Sequence, residues 1–303
     1  MVRPAAFGFN AETAASNAMQ HRPEGDAAAL NQRARDESAG LQRALESEGV
    51  RVLSAEDSGS PAKPDALFPN NWVSFHADGT LVLYPMLGAT RRLERRTEIV
   101  DAVCATFGFQ PRRRLDLSAE EKSGRFLEGT GSLVLDHVGR VAYACRSPRT
   151  DESLVREWAR LMDFEPVVFD ATDAAGQPYY HTNVMMWIGT RCAMVCTPSI
   201  AAADRERVRA SLLAGGRELL EIDRAAVDRF AGNMLELASW DEALGDCSVL
   251  VMSAAAHAAL AGPTLQRLSG CVDAMLAVPV PTIEQVGGGS VRCMLAEVPE
   301  LLA

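Results

Sequence analysis

SLVLDHVGRVAYACRSPRTDESLVREWARLMDFEPVVF, residues 132–169, carries the pattern that decides the fold. Residues 132–135 and 140–145 read as two strands around the turn Asp136-His137-Val138-Gly139. A helix over about 151–163 follows, with Thr150 as its N-cap and Leu154, Val155, Trp158, Leu161 and Met162 on one face. Val167-Val168-Phe169 then reads as a third strand. The unit is two strands, a helix and a strand.

The same order recurs on both sides. Upstream, 81–86 reads as a strand after the turn His76-Ala77-Asp78-Gly79, and 91–107 as a helix. Downstream, strands at 184–188 and 191–196 lead to a helix at 204–213 and a strand at 218–222. Strands at 233–238 and 247–252, a helix at 254–260 and a strand at 274–280 complete another unit. Polar residues sit at comparable places in successive units: Asn71, Glu128, His181, Asn233 and Cys293, separated by 57, 53, 52 and 60 residues. A ββαβ pattern at this period implies a closed radial array in which equivalent positions meet near the axis. The alternative is ordinary α+β packing with chance spacing.

Composition narrows the function. Lys+Arg total 30 against 40 Asp+Glu in 303 residues, a net charge of −10, which disfavours nucleic acid and anionic membrane surfaces as partners. No run approaches the roughly 18 apolar residues of a spanning helix. The first ten residues, MVRPAAFGFN, do not form a secretory signal, and the seven cysteines are odd in number and scattered. Reduced thiols in the cytoplasm are expected, and length alone suggests one large domain or two medium ones.

Four positions stand out chemically. Cys293 follows Gly287-Gly288-Gly289, a stretch that permits a tight path with positive φ and backbone N–H donors near the thiol. His181, at the start of an apolar strand, suits acid–base work near neutral pH. Glu128 lies between Phe126-Leu127 and Gly129-Thr130-Gly131, so burying it requires partners. Asn71 follows Asn70 and precedes Trp72, presenting neutral donors and acceptors. Each has a plainer reading: a buried strand cysteine, a satisfied strand-end histidine, a solvated turn carboxylate, an Asn-rich turn. Cys192-xxx-Cys196 lacks a second pair for zinc, and the three glycines fit no nucleotide-loop template.

Taken in order, these segments resemble the guanidino-group-modifying superfamily, the penteins. Gly287-Gly288-Gly289-Ser290-Val291-Arg292-Cys293 resembles its nucleophile motif, Phe126-Leu127-Glu128-Gly129-Thr130-Gly131 its Glu-Gly-Gly segment, and His181-Thr182-Asn183 its His-x-Asp. Ser147-Pro148-Arg149-Thr150-Asp151 resembles its Ser-x-Arg-Thr turn. Met1-Val2-Arg3-Pro4, Phe7-Gly8-Phe9-Asn10 and Phe68-Pro69-Asn70-Asn71-Trp72 look like the citrulline-utilisation hydrolase branch. The resemblance runs from 1 to about 297, and the chain starts abruptly on a strand-like segment, as if a few leading residues were missing. It implies a five-bladed α/β propeller of ββαβ units around a central channel, with 1–303 as a single catalytic domain. It also implies Cys293 as nucleophile, His181 as general acid/base, Glu128 as the partner that orients His181 or binds substrate, and Arg149 as a contact to the substrate carboxylate. No metal or organic cofactor is implied. The partner is a small amino-acid substrate, and relatives often form homodimers.

Two departures bear on substrate. Arginine deiminases carry Asp where this chain has Asn71 and Asn183, and those carboxylates clamp the guanidinium. A cation here loses two charge-assisted contacts, each worth about 1.5–3 kcal/mol. A neutral ureido group needs donors for its C=O and acceptors for its N–H groups, and Asn supplies both. The expected reaction is hydrolysis of citrulline to ornithine, CO2 and ammonia through a Cys293 adduct. The alternatives on the same site are an arginine deiminase-like or dimethylarginine-type hydrolase and an amidinotransferase. A non-catalytic binding protein on the same scaffold, like the ribosome anti-association factor, need not keep Cys293, His181 and Glu128 together.

Overall fold

The structure is a computed structural model and describes residues 1–243 and 245–301. Its strands form five small sheets among the described residues. Strands β1 (Val2–Arg3) and β2 (Ala55–Glu56) pair in parallel, Val2 opposite Ala55, joined by a path containing helix Ala27–Ser47. The other four sheets have three strands each and share one plan: an antiparallel hairpin, a helical crossover, and a third strand parallel to the second. The first is β3 (Val73–Phe75), β4 (Thr80–Leu83), helix Thr97–Phe107 and β5 (Arg113–Asp116). The second is β6 (Val134–Asp136), β7 (Val141–Cys145), helix Glu152–Met162 and β8 (Glu165–Phe169). The third is β9 (Met186–Ile188), β10 (Cys192–Val195), helix Ala202–Ala214 and β11 (Glu218–Glu221). The fourth is β12 (Leu235–Asp241), β13 (Gly245–Ser253), helices Ala254–Ala259 and Gly262–Ser269, and β14 (Ala274–Val278). A parallel third strand requires a crossover of this length, which is why a helix recurs in each unit.

The order of elements is therefore the one read from the sequence, with local differences. The strand expected at 81–86 ends at Leu83, because Tyr84 N–H turns to the Trp72 carbonyl and Pro85 carries no donor. The helix expected over 91–107 is two pieces, Ala89–Arg92 and Thr97–Phe107, with Arg91 and Glu94 buried at the break. Asp151, not Thr150, caps helix Glu152–Met162, its Oδ1 accepting from Leu154 N–H, while the Thr150 hydroxyl donates to Ser132 Oγ. Helix Ala27–Ser47 was not foreseen: its buried stripe is thin (Leu30, Ala34, Ser38, Leu41, Leu45) within a strongly polar segment. Its signals were the four- and three-residue spacing and the Asp26 cap, whose Oδ2 accepts from Ala29 N–H. The seven cysteines are free, and no helix among the described residues is long and apolar enough to cross a membrane.

One polar cluster lies inside this apolar packing. His76 Nε2 is 2.8 Å from Ser74 Oγ, which is 2.7 Å from Tyr84 OH, and Trp158 Nε1 donates to that phenol at 3.1 Å. Burial, with the nearby His137 opposing charge further, pushes the His76 imidazole down to about 4. The unfolded chain thus takes up this proton first. The corresponding stability is complete above pH about 6.5 and is lost as pH falls toward 4, on the order of 3 kcal/mol. Urea unfolding of the wild type and of His76→Asn across that window checks this: the variant's stability should fall less steeply with acid.

Candidate active site

Three of the residues singled out by spacing occupy one recurring local device, a short helical turn leading into the first strand of a unit. Asn71 ends the turn Pro69–Asn71 before β3. Glu128 precedes the turn Gly129–Ser132 before β6. His181 precedes the turn Thr182–Val184 before β9. Asn233 stands just before β12, and Cys293 lies in the turn Val291–Met294. All five side chains are buried.

Glu128 has no exposed surface. Its Oε2 lies 2.8 Å from His181 Nε2, 3.4 Å from Arg149 Nη1 and 3.5 Å from Arg91 Nη1, and its Oε1 accepts from Leu87 N–H at 3.0 Å. Burial alone would raise its pKa; Arg149, the hydrogen bond and charge of His181, and Arg91 together hold it well below the usual carboxylate range. Burial dominates for His181 and lowers it to about 4, against the pull of Glu128 and with the two guanidiniums adding to the fall. The pair is an ionised carboxylate beside a neutral imidazole. Nε2 then carries the proton and donates it to Glu128, and Nδ1, which has no protein partner, keeps its lone pair. Gly131 explains the second glycine of the Glu-Gly-Thr-Gly run. A Cβ there would stand 2.5 Å from Asn71 Nδ2 and 2.6 Å from His181 Nδ1, so glycine leaves the room that both side chains occupy.

The sulfur of Cys293 accepts from two side-chain amides, Asn233 Nδ2 at 3.3 Å and Asn183 Nδ2 at 3.6 Å. The expectation that backbone N–H groups of the glycine loop would serve the thiol is corrected. The carbonyls of Gly287 and Gly288 are what the loop offers here, accepting from Gln20 Nε2 at 3.0 Å, from Asn17 Nδ2 at 3.2 Å and from the Tyr180 hydroxyl. Only Gly288 of the three has positive φ, at 61°; Gly287 and Gly289 are needed because a Cβ on either would strike the Phe68 ring at 2.9 Å.

Cys293, His181, Asn71 and Arg149 line one cavity together with Asp65 and Arg91. Its volume is about 10 Å³, close to what a single water needs, because Asn17 and Gln20 close over it. Glu128 lies behind His181. Asn183 sits on the far side of the sulfur and borders a larger cavity of about 330 Å³, with Thr130, Trp187 and Arg292. Arg149 is fully engaged: besides Glu128, it donates to Ser16 Oγ at 3.0 Å and the Thr13 carbonyl at 2.8 Å, and it lies over the Tyr180 ring. Asp65 and Arg91 escaped the sequence reading. Asp65 lies in a polar loop with no motif; its Oδ2 accepts from Asn10 Nδ2 at 2.8 Å, and its Oδ1 is buried without a partner. Arg91 binds Glu94 through two 3.0 Å contacts and donates to Asn71 Oδ1 at 2.9 Å. The signal in the sequence was the opposite-charge pair Arg91 and Glu94, three apart in the segment expected to be helical. No group of three or more His, Cys, Asp or Glu is arranged to hold a metal among the described residues.

This fold and site place the protein among the guanidino-group-modifying enzymes, the penteins. Residues 3–300 match the family described as N,N dimethylarginine dimethylhydrolase, eukaryotic, and the chain belongs to that family. No curated protein sequence matches it. Among solved structures, ArgZ, an arginine dihydrolase from the ornithine-ammonia cycle in Cyanobacteria, superposes with a TM-score of 0.75 at 16% identity. That alignment covers 100% of this chain and 40% of ArgZ, so the chain spans well under half of that relative. The substrate-bound N-terminal domain of ArgZ alone gives 0.74 at 16% identity, covering 99% of this chain and 97% of that one. A dimethylarginine dimethylaminohydrolase, as its adduct with S-methyl-L-thiocitrulline, gives 0.63 at 15% identity over 97% and 96%.

Gly131→Ala tests the close approach directly. Its backbone tolerates alanine, but the new methyl group must displace Asn71 and His181 from their places. Turnover should fall by about 100-fold or more, with the circular dichroism spectrum retained.

Proposed function

We propose that the protein hydrolyses the ureido C–N bonds of citrulline or a closely similar amino acid, by way of a covalent Cys293 intermediate. The observation that carries this is the set of unpartnered groups facing the cavity. Arg91 can only donate, so it holds Asn71 Oδ1 toward itself and leaves Asn71 Nδ2 as a free donor. Asp65 Oδ1 and His181 Nδ1 are the free acceptors. A ureido group has one carbonyl acceptor flanked by N–H donors and matches this set. A guanidinium has donors only and would face Asn71 Nδ2 with another N–H.

The chemistry follows from these positions. His181 Nδ1 takes the thiol proton of Cys293, and the sulfur attacks the ureido carbon while Asn71 Nδ2 holds the oxygen as it gains charge. The imidazolium, stabilised by Glu128, returns the proton to the leaving amine. A water, deprotonated by His181, then cleaves the S-carbamoyl adduct, freeing the Cys293 thiol and a carbamic acid that breaks down to CO2 and the second amine. The sum is citrulline plus water giving ornithine, CO2 and ammonia. Asp65 Oδ1, the carboxylate oxygen left free among the cavity residues, accepts a ureido N–H. Substrate entry requires Asn17 and Gln20 to withdraw, since the cavity holds no more than a water.

A second reading, arginine as substrate, is favoured by that same free carboxylate oxygen and by the likeness to ArgZ, an arginine dihydrolase. The recurrence of the ββαβ plan in four sheets, with the fifth sheet formed by β1 and β2, supports reading the five sheets as blades of an α/β propeller. Its channel would hold the site, in one catalytic unit.

Purified protein given citrulline or arginine separately decides the substrate. Ornithine and ammonia from citrulline are expected, and citrulline accumulating from arginine would overturn the ureido reading. Asn71→Asp replaces the free donor by an acceptor and should lower kcat/KM for citrulline by about 100- to 1,000-fold. Because His181 titrates near 4, kcat/KM should hold its neutral value down to about pH 5 and fall through pH 4. An acid limb at the ordinary histidine value of 6.5 would contradict the neutral-base assignment.

A further inference from the structure

The fourth unit contributes no residue to the Cys293, His181 and Glu128 set, yet its Asn233 touches the nucleophile. We propose that Asn233 is a positioning residue that fixes the Cys293 sulfur for attack and donates to it. The inference rests on the reading of Cys293 as nucleophile but not on which substrate is used.

The orientation of the Asn233 amide follows from its partners. The Arg292 backbone N–H can only donate, and it points at Asn233 Oδ1 at 3.0 Å. Nδ2 is thereby turned the other way, where its two hydrogens meet the Asn183 carbonyl at 3.0 Å and the Cys293 sulfur at 3.3 Å. The side chain has no exposed surface, and every hydrogen-bonding group of its amide is used. One residue thus holds the chain immediately before the cysteine, the sulfur itself, and the backbone of the other amide that donates to sulfur. Of those two donors, Asn233 is the nearer.

The local sequence is shaped for this contact. Phe230 adopts φ of 61°, an unusual conformation for an aromatic residue, and its carbonyl accepts from Asn233 N–H at 2.8 Å. Gly232 must be glycine: a Cβ would lie 2.5 Å from the Val184 carbonyl oxygen and 2.7 Å from the Met185 carbonyl carbon. The turn Phe230-Ala231-Gly232-Asn233 therefore presses directly against residues 183–185 and delivers the amide to the sulfur. A pin that only stabilised the fold would have no need of the sulfur contact.

The test reads the sulfur and not the substrate. In the full-length protein, alkylation of Cys293 by iodoacetamide is followed by peptide mass from pH 5 to 10, alongside thermal melts. Asn233→Asp keeps the acceptor for Arg292 N–H and replaces both donors by an anion. It should move the Cys293 alkylation profile at least one unit to higher pH, lowering the rate at pH 7 by about tenfold or more. Asn233→Ala should shift it in the same direction by less, and in both variants kcat should fall far more than KM changes. If Asn233→Asp does not fold, Asn233→Ala decides on the same readout. A folded variant with the wild-type profile and turnover overturns the inference alone. A wild-type Cys293 no more reactive than the buried Cys145 removes the nucleophile, and with it both the inference and the proposed chemistry.

Discussion

A carboxylate with no contact to water is the constraint around which this structure is built. Glu128 can stay ionised in the interior only because His181, Arg149 and Arg91 converge on one of its oxygens and a backbone N–H satisfies the other. Those partners come from separate units of the chain, so the charge ties the units to one another at their meeting point. Removing any one partner leaves a buried charge less compensated, a change that typically costs about 3–5 kcal/mol when the pair is fully buried. The same carboxylate decides the tautomer of His181, and through it which nitrogen is free to act. Stability and chemistry are here a single electrostatic arrangement.

Arg149 extends that arrangement to the cover of the cavity. One guanidinium edge neutralises Glu128 while the other donates to Thr13 and Ser16, in the segment whose Asn17 and Gln20 clamp the glycine carbonyls. Closure over the site and the charge state of its central carboxylate therefore share one side chain. The glycines fit the same logic. Gly131, Gly232, Gly287 and Gly289 are each required where two segments approach more closely than a Cβ allows, and each lies beside a residue of the site.

Two amides of the site, Asn71 and Asn233, are each oriented by a neighbour that can only donate. Arg91 turns Asn71 so that a donor faces the cavity; the Arg292 N–H turns Asn233 so that a donor faces the sulfur. An Asn is chemically ambiguous in isolation, since it offers a donor and an acceptor of equal size. Its partners resolve the ambiguity, and those partners sit 20 and 59 residues away in the chain.

How much of this was legible in the chain follows from what each feature depends on. The alternation of hairpin, helix and strand was readable because period-two and period-3.6 patterns and turn residues act locally, as in Asp78-Gly79 and the apolar face of helix Glu152–Met162. The near-constant spacing from Asn71 to Cys293 also announced that distant polar residues would meet. Helix Ala27–Ser47 left only a faint trace for the opposite reason, since its few apolar positions become a buried face only when the rest of the molecule packs on them. The amino-acid sequence thus determined which elements form and which residues stand at the head of each unit. Tertiary structure alone decided that Asp65 and Arg91 join the site, that side-chain amides serve the sulfur in place of the glycine loop, and that His181 is neutral. Those outcomes are set by burial and by the sum of opposing charges at a point, and neither quantity exists until the units have closed around it.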